Sequence, residues 1–345
     1  MPMRMRRFRP PPLERGTRPA MRVILAQPRG FCAGVERAID VVDRAIGVFD
    51  SPVYVRHEIV HNQRVVDDLR SKGAVFVEEV DEIPQGAPVV FSAHGVSKTV
   101  KAEAKKRGLR AIDATCPLVT KVHRQVLRLN RLGYEILLIG HAGHPEVEGT
   151  LGQVREGIRL VQNVDEAESV EVNDPERVAF VTQTTLSLDD TDGILRVLRR
   201  RFPALQDPPT DDICYATQNR QMTAKRLAQI VDVVIVIGAA NSSNSNRLVE
   251  VAQSQGVPAY RIASADELRR EWFRDEQTIG VTAGASVPEV LVAETVRFFK
   301  ENFGAEMEED AAGIREDVYF PLPLELRGEA GRRSATGTLT PQRRS

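Results

Sequence analysis

The sequence of 345 residues lacks an apolar run long enough to cross a bilayer, and its formal net charge is only −1. The longest apolar stretch, residues 231–240, is interrupted by Asp232, whereas a membrane-spanning helix needs about 20 apolar residues. No stretch resembles the apolar region of a signal peptide. Without a strong net charge there is no general attraction to nucleic acid or anionic lipid. We therefore expect a cytoplasmic protein that binds neither nucleic acid nor membranes and holds any anionic ligand in a local site.

Cysteine is also scarce, with three residues in the whole sequence: Cys32, Cys116 and Cys214. An odd number of thiols in a reducing compartment argues against structural disulfides. The lack of a Cys-x-x-Cys pair argues against a structural zinc site, which normally has four closely spaced ligands. Three dispersed thiolates suit an iron-sulfur cluster with one iron left open. The simpler alternative is three small side chains buried in the core, and the cysteines alone do not decide between the two.

What the sequence does contain is a repeated pattern of a short apolar run, a loop of small and polar residues, and a stretch of helical period. The clearest apolar runs are VILAQ, VVFSA, EILLIG, VAFVT, VVIVIG and TIGVT. Repeats of this kind predict an α/β fold with mainly parallel sheets. In such folds, ligands gather at the carboxyl ends of the strands, where loops meet the N-terminal ends of helices.

The cysteines are spaced similarly along the chain, which suggests one cysteine for each third of the fold. We predict three small α/β domains over residues 21–115, 116–213 and 214–310. Residues 1–20 are rich in Arg and Pro without an apolar period and are predicted to be a disordered extension. The segment 311–345 is predicted to close on the body and to end in a disordered, basic tail.

One motif points to a different kind of site. His57, Glu58 and His61 match the HExxH pattern of zinc proteases, in which two histidines one helical turn apart bind the metal. The preceding residues SPVYVR read as a strand, and the helical period begins only near Asn62. We therefore do not expect the two histidines to share one helix face, and a zinc hydrolase remains the rival hypothesis.

Histidines follow several of the predicted strands. Three histidines lie at strand ends, namely His94, His141 and His144. We expect them to share the mouth of one pocket with His61. Imidazoles near helix N-termini can donate to phosphate oxygens. Hydrogen bonds to loop backbone are the alternative for any one of them.

Two loops rich in Gly, Ser and Asn are typical of phosphate binding, and their candidate side chains are Ser242, Ser243, Asn244 and Ser286. Both loops offer hydroxyls and backbone N–H groups, but neither has the lysine of a Walker loop. Neither brings a base-stacking aromatic or a ribose-binding acid, so a diphosphate is favoured over a nucleotide. Ordinary helix caps would explain one or two of these residues.

Glu146 and Thr184 are candidates for proton transfer. Glu146 lies two residues beyond His144, and Thr184 stands in the polar run TQTTLS. A loop glutamate is by default solvated surface. If Glu146 faces a closed pocket, it can deliver a proton to a leaving hydroxyl, with Thr184 in the relay.

Nine motifs in combination identify a family. They are AQPRGFCAGVERAI, HEIVHNQRVV, FSAHGVS, DATCPLVTKVH, GHAGHPEVEGTLGQ, TQTTLS, DDICYATQNRQ, SSNSNRL and TAGASVP. With these motifs the chain closely resembles the 4-hydroxy-3-methylbut-2-enyl diphosphate reductase (LytB/IspH) family over about residues 21–296. The resemblance implies three small α/β domains in a pseudo-threefold arrangement around one 4Fe-4S cluster per chain.

The resemblance also assigns roles to the candidate residues. It implies that Cys32, Cys116 and Cys214 are the cluster ligands and that Glu146 and Thr184 deliver protons. The implied substrate-binding residues are His61, His94, His144, Thr184, Ser242, Ser243, Asn244 and Ser286. Only the second histidine of the HExxH pattern matches a pocket position of the family.

The family reaction is a reductive dehydroxylation that yields isopentenyl diphosphate and dimethylallyl diphosphate, the last step of the methylerythritol phosphate route to isoprenoids. The resemblance implies ferredoxin or flavodoxin as electron donor, because no flavin or nicotinamide fingerprint is present in the sequence, and we expect a monomer. The rival classes are a non-enzymatic iron-sulfur sensor, which would need the cysteines but not Glu146 or the serine-asparagine loop, and the zinc hydrolase.

Overall fold

The computed structural model describes residues 21–49 and 52–327. The predicted N-terminal extension, residues 1–20, and the final part of the predicted tail, residues 328–345, lie outside the described residues.

Strands within the described ranges are short and mostly apolar. In chain order they are β1 (Arg22–Leu25), β2 (Val53–Arg56), β3 (Ala74–Val77), β4 (Pro88–Phe91), β5 (Arg110–Asp113), β6 (Glu135–Ile139), β7 (Ile158–Val161), β8 (Val178–Thr182), β9 (Val233–Ile237), β10 (Ala259–Ile262), β11 (Thr278–Ala283) and β12 (Glu306–Glu309). The six apolar runs predicted as strands are β1, β4, β6, β8, β9 and β11, so these predictions are confirmed.

The helices between these strands supply the layers that cover the sheets. They are α1 (Ala33–Val48), α2 (Gln63–Ser71), α3 (Lys98–Lys106), α4 (Pro117–Arg131), α5 (Pro145–Leu151), α6 (Val164–Ser169), α7 (Leu188–Arg201), α8 (Tyr215–Ala228), α9 (Ser243–Ser254) and α10 (Glu289–Phe303). Among the described helices, none combines the length and apolar character that a membrane span requires.

The strands form three sheets, with the orders β10-β9-β11-β1-β12, β3-β2-β4-β5 and β7-β6-β8. All pairings between these strands are parallel. Parallel sheets are covered on both faces, so their central strands are apolar throughout. β9 illustrates this, because all of its residues are buried and neighbouring side chains pack into different clusters on opposite faces. The predicted α/β fold with mainly parallel sheets is confirmed.

The first strand lies in the sheet formed by the last third of the chain. β1 pairs with β11 on one side, with Arg22 opposite Thr278, and with β12 on the other. The segment predicted as the first domain, 21–115, thus contributes its first strand to the sheet of the segment 214–310. The domain boundaries themselves stay predictions.

The segment after β12 packs along the body as far as it is described. The backbone N–H of Ile314 donates to the carbonyl of Gln27 at 3.1 Å. Farther along, Leu326 is buried in the core that α1 forms with the four-stranded sheet. Residues 311–327 therefore connect two of the three sheets.

Arg220 on α8 is completely buried and holds three parts of the chain together. Its guanidinium donates to the carbonyl oxygens of Gly30 at 2.8 Å and Ala216 at 2.9 Å. It also pairs with Glu316 of the C-terminal segment at 3.0 Å, and the Glu316 side chain is only 12% exposed. If one charge of such a buried pair is removed, the other charge stays buried without an opposite charge beside it.

Arg220→Ala is therefore expected to lower the free energy of unfolding by about 3–5 kcal/mol. The measurement is urea-induced unfolding followed by circular dichroism. Lys225→Ala is the matched control, because Lys225 is on the same helix and pairs with the exposed Asp189 at 2.7 Å, an ion pair worth at most about 1 kcal/mol. Equal unfolding midpoints for the two variants would contradict the role assigned to Arg220.

Candidate active site

The three cysteines each stand immediately before a helix. Cys32 is the N-cap residue of α1, Cys116 of α4 and Cys214 of α8, and none of the three side chains caps its own helix. All three cysteines line one pocket. The N-terminal end of a helix presents free N–H groups and a partial positive charge, which favour an anionic sulfur.

Two of the sulfur atoms approach the same glycine. A Cβ atom at Gly34 would lie 2.7 Å from Cys116 Sγ and 3.8 Å from Cys32 Sγ. A side chain does not fit at this position, so the glycine keeps the space between the two cysteines open. The third sulfur, Cys214 Sγ, lies 3.2 Å from Thr217 Oγ1.

Burial controls the protonation of these thiols. It raises the pKa of Cys116 to about 12 and that of Cys214 to about 11, and in both cases the nearby Cys32 raises the pKa further. The pKa of Cys32 is also raised by burial, while the charge of Arg220 opposes the shift. The three groups influence one another because they face one space. Metal ions that bind thiolates displace such protons and remove the penalty of burying the negative charges.

Three histidine rings lie together at the same site. The His61 and His94 rings stack with centroids 4.2 Å apart, and the His144 ring meets them edge-on at 5.4 and 5.8 Å. Burial lowers the pKa of His94 well below its usual value and the pKa of His144 to about 3. Neighbouring histidines lower both pKa values further. An anion between the rings would have the opposite effect, since it favours the protonated form.

The tautomer of His144 follows from its hydrogen bond. The backbone N–H of Glu146 donates to His144 Nδ1 at 3.1 Å. In a neutral imidazole the other nitrogen then carries the proton, so Nε2 is a hydrogen-bond donor.

Glu146 is buried, with 3% of its surface exposed. Thr184 donates to both carboxylate oxygens, its backbone N–H to Oε1 at 2.6 Å and its hydroxyl to Oε2 at 2.9 Å. Burial raises the pKa of Glu146 to about 7, although the two bonds from Thr184 oppose the shift. A carboxyl group with this pKa exchanges a proton near neutral pH, as a general acid requires.

The serine-asparagine loop forms the start of α9. Ser242 is the N-cap residue and accepts from the Ser245 N–H at 3.3 Å, and Ser243 donates to the carbonyl of Thr185 at 3.2 Å. Asn244 differs, because both polar atoms of its side chain are buried and have no partner among the described residues. Ser286, from the loop after β11, donates to the backbone carbonyl of His61 at 3.0 Å. Helix-start N–H groups beside a free buried amide make a site for an anion.

All of the residues to which the resemblance assigns a role line one pocket. The set comprises Cys32, Cys116, Cys214, His61, His94, His144, Glu146, Thr184, Ser242, Ser243, Asn244 and Ser286. The roles assigned to them stay predictions.

The expectation that His141 shares this mouth is wrong. His141 does not line the pocket, and its Nε2 lies 3.3 Å from Arg247 Nη2 in a separate groove.

Thr185 was missed, although it follows Thr184 in the same polar run and also lines the pocket. Val60 and Leu118 also line the pocket. Nothing in the sequence distinguishes these apolar residues from residues of the hydrophobic core.

The HExxH pattern lies outside a helix, as predicted. α2 begins at Gln63, and Asn62 is its N-cap residue. His57 has a left-handed backbone with φ of 60°, and its Nε2 lies 3.6 Å from Glu78 Oε2, outside the pocket. Over residues 21–49 and 52–327, no three His, Cys, Asp or Glu side chains converge on a single metal ion. Of the two histidines of the pattern, only His61 lines the pocket.

Comparisons with known proteins agree on one family. A family model described as LytB protein matches residues 23–300. The chain is 58% identical over 304 residues to the 4-hydroxy-3-methylbut-2-enyl diphosphate reductase of Aromatoleum aromaticum, with 88% of this chain and 97% of that protein covered. The identity to the protein of the same name from an Azoarcus species is also 58% over 304 residues, with the same coverage.

Solved structures that are similar to this chain include two diphosphate reductases. One is the E-1-hydroxy-2-methyl-but-2-enyl-4-diphosphate reductase from Plasmodium falciparum, with a TM-score of 0.86, 35% identity, and coverage of 92% of this chain and 100% of that chain. The other is described as (E)-4-hydroxy-3-methyl-but-2-enyl diphosphate reductase, the terminal enzyme of the non-mevalonate pathway. It has a TM-score of 0.58 and 34% identity, with coverage of 81% of this chain and 100% of that chain.

Proposed function

The chain belongs to the LytB protein family, and on that premise we propose that it reduces 4-hydroxy-3-methylbut-2-enyl diphosphate. The substrate takes up two electrons and two protons, its C–O bond to the hydroxyl breaks, and water leaves. The products are isopentenyl diphosphate and dimethylallyl diphosphate. The observation that carries the proposal is that three thiols, a buried acid and an anion site line the same pocket.

The three cysteines fit an iron-sulfur cluster. Each sulfur stands at a helix start that stabilises negative charge, and Gly34 keeps space open beside two of them. In a cuboidal cluster each cysteine binds a different iron, so the sulfurs need not converge on one ion. The sequence has no fourth cysteine, which leaves one iron without a thiolate. When bound, the cluster supplies the electrons and a Lewis-acidic iron for the substrate hydroxyl.

The diphosphate is held by the start of α9 and the side chains around it. Asn244 offers a buried amide without another partner, and Ser243 and Ser286 offer hydroxyls that line the pocket. Nε2–H of His144, whose ring also lines the pocket, adds a further donor. These contacts are remote from the reacting carbon, and their binding energy fixes the small organic group in place.

Glu146 provides the proton for the departing oxygen. Its pKa of about 7, raised by burial, keeps a substantial protonated fraction at neutral pH. Thr184 contacts both carboxyl oxygens and fixes their direction in the pocket. Proton transfer from a positioned acid makes the hydroxyl a better leaving group, because it departs as water.

The electrons come from outside the chain, and ferredoxin or flavodoxin is the proposed donor. This choice of donor rests on the family resemblance. A monomer is proposed as well.

Turnover under anaerobic conditions tests the function. We expect the purified chain, supplied with a chemical reductant and a mediator dye, to convert the diphosphate into the two isomers, measured by mass spectrometry. His57→Asn is the matched control, because Asn tolerates the left-handed backbone and His57 lies outside the pocket. The variant should keep wild-type turnover, whereas a zinc hydrolase would form neither isomer, with or without His57. A protein with bound iron and no turnover would favour the sensor instead.

A further inference from the structure

Glu58, the acidic residue of the HExxH pattern, contacts a pocket histidine and Asn241 of the serine-asparagine loop at the same time. Glu58 Oε2 lies 3.1 Å from His61 Nδ1, and the same oxygen accepts from Asn241 Nδ2 at 3.0 Å. Asn241 directly precedes Ser242, the N-cap residue of α9. One carboxylate oxygen thus joins a loop of the four-stranded sheet to a loop of the five-stranded sheet.

The contacts define the state of the His61 ring. Hydrogen bonds from His61 and Asn241 lower the pKa of Glu58, with the bond from His61 as the largest cause and burial opposing it. An ionised carboxylate only accepts hydrogen bonds, so the proton between the two groups belongs to His61 Nδ1. The backbone of the same histidine is fixed independently, because Ser286 donates to its carbonyl at 3.0 Å.

The other ring nitrogen of His61 is left for a ligand. His61 Nε2 is buried and has no hydrogen-bond partner among the described residues, while the ring lines the pocket beside His94. Because Nδ1 is held by Glu58, the Nε2 edge of the ring is the part of His61 that a ligand in the pocket can contact. A ring nitrogen without a protein partner is available for a hydrogen bond to a ligand oxygen.

We propose that Glu58 is a positioning residue for binding of the diphosphate. Glu58 fixes the His61 ring with Nε2 toward the ligand, and it connects this ring to the serine-asparagine loop through Asn241. The proposal rests on the proposed function, because the ligand is the diphosphate of that substrate. Glu58 does not line the pocket. It therefore acts on binding and leaves the chemical step unchanged.

Steady-state kinetics of the holoenzyme test this role. Glu58→Gln keeps an oxygen that can accept from His61 Nδ1 but makes this acceptor neutral. Because a charge-assisted hydrogen bond is about twice as strong as a neutral one, we expect KM for the diphosphate substrate to rise about tenfold, with kcat within about twofold. A change in KM alone is the mark of lost binding, whereas a general structural defect would lower kcat as well. Glu78→Gln is the matched control, since Glu78 meets the other histidine of the pattern at 3.6 Å and is 86% exposed. It should leave both constants unchanged.

Two further measurements distinguish a failure of the role proposed for Glu58 from a failure of the proposed function. In the His61→Asn background, Glu58→Gln should have no additional effect on KM, because it acts through the ring. An unchanged KM in the single variant, or the same increase in the His61→Asn background, overturns the proposal. If the wild type does not turn over, the proposed function fails, and titration of inorganic diphosphate by calorimetry still decides the role of Glu58. We expect about tenfold weaker binding to Glu58→Gln, and equal binding overturns it.

Discussion

Glu146→Gln is expected to keep the fold and bind the substrate while kcat falls at least about 100-fold, the range found when a general acid is removed. Glutamine has the same shape, and its amide can satisfy both contacts that Thr184 makes with Glu146. It has no acidic proton for the departing oxygen. The measurement is kcat under anaerobic conditions at saturating substrate, with binding checked by calorimetry.

Glu148→Gln is the matched control for this variant. Glu148 is an exposed carboxylate on the same helix, α5, two residues after Glu146. Its loss should leave kcat unchanged. Near-normal kcat in Glu146→Gln would remove Glu146 from the path of the proton.

The same carboxyl group sets the pH dependence. Its pKa is raised to about 7 by burial, and only the protonated form can donate. We expect kcat of the wild type to be highest below pH 7 and to fall as the pH rises through about 7. The Glu146→Gln variant should lack this decrease, because its amide does not titrate.

Cys214→Ser is expected to lose the cluster and with it all turnover. Soft thiolates are the ligands that iron-sulfur clusters require, and a serine oxygen is a poor substitute. The exchange of sulfur for oxygen leaves the N-cap position of α8 intact and still allows a contact with Thr217. Iron content and visible absorption after anaerobic purification measure the effect, and we expect iron well below about four per chain.

Thermal unfolding provides the control for Cys214→Ser. The variant should unfold at the same temperature as wild-type protein from which the iron has been removed by a chelator. A variant that retains the full iron content and wild-type turnover would show that Cys214 is not a ligand.

The repeated pattern of the sequence was sufficient for the fold class, because buried parallel strands need continuous apolar runs and these are local features. VVIVI, for instance, has no other plausible place than a central strand, and it forms β9. The position of β1 could not be predicted in this way. Its neighbours in the sheet, β11 and β12, lie at the other end of the chain, and no local signal specifies such pairing.

The chemistry of the pocket could be predicted from residue types and family motifs, but its energetics could not. The loop carrying Asn244 was predicted, whereas the lack of any partner for its buried amide depends on packing. The raised pKa of Glu146 follows from its burial in the folded chain, which its position in the sequence does not reveal. Glu58 was considered only as part of a zinc motif, because its contact with Asn241 joins residues that are distant in the sequence.

Mössbauer spectroscopy of the iron-57-labelled protein, with and without the diphosphate substrate, is the most direct test of a cluster and a substrate sharing this pocket. We expect about four irons per chain, of which about one changes its spectrum when the substrate is added, because three are bound by cysteine. Stoichiometric zinc with little iron, or a spectrum that the substrate leaves unchanged, would contradict the proposed site.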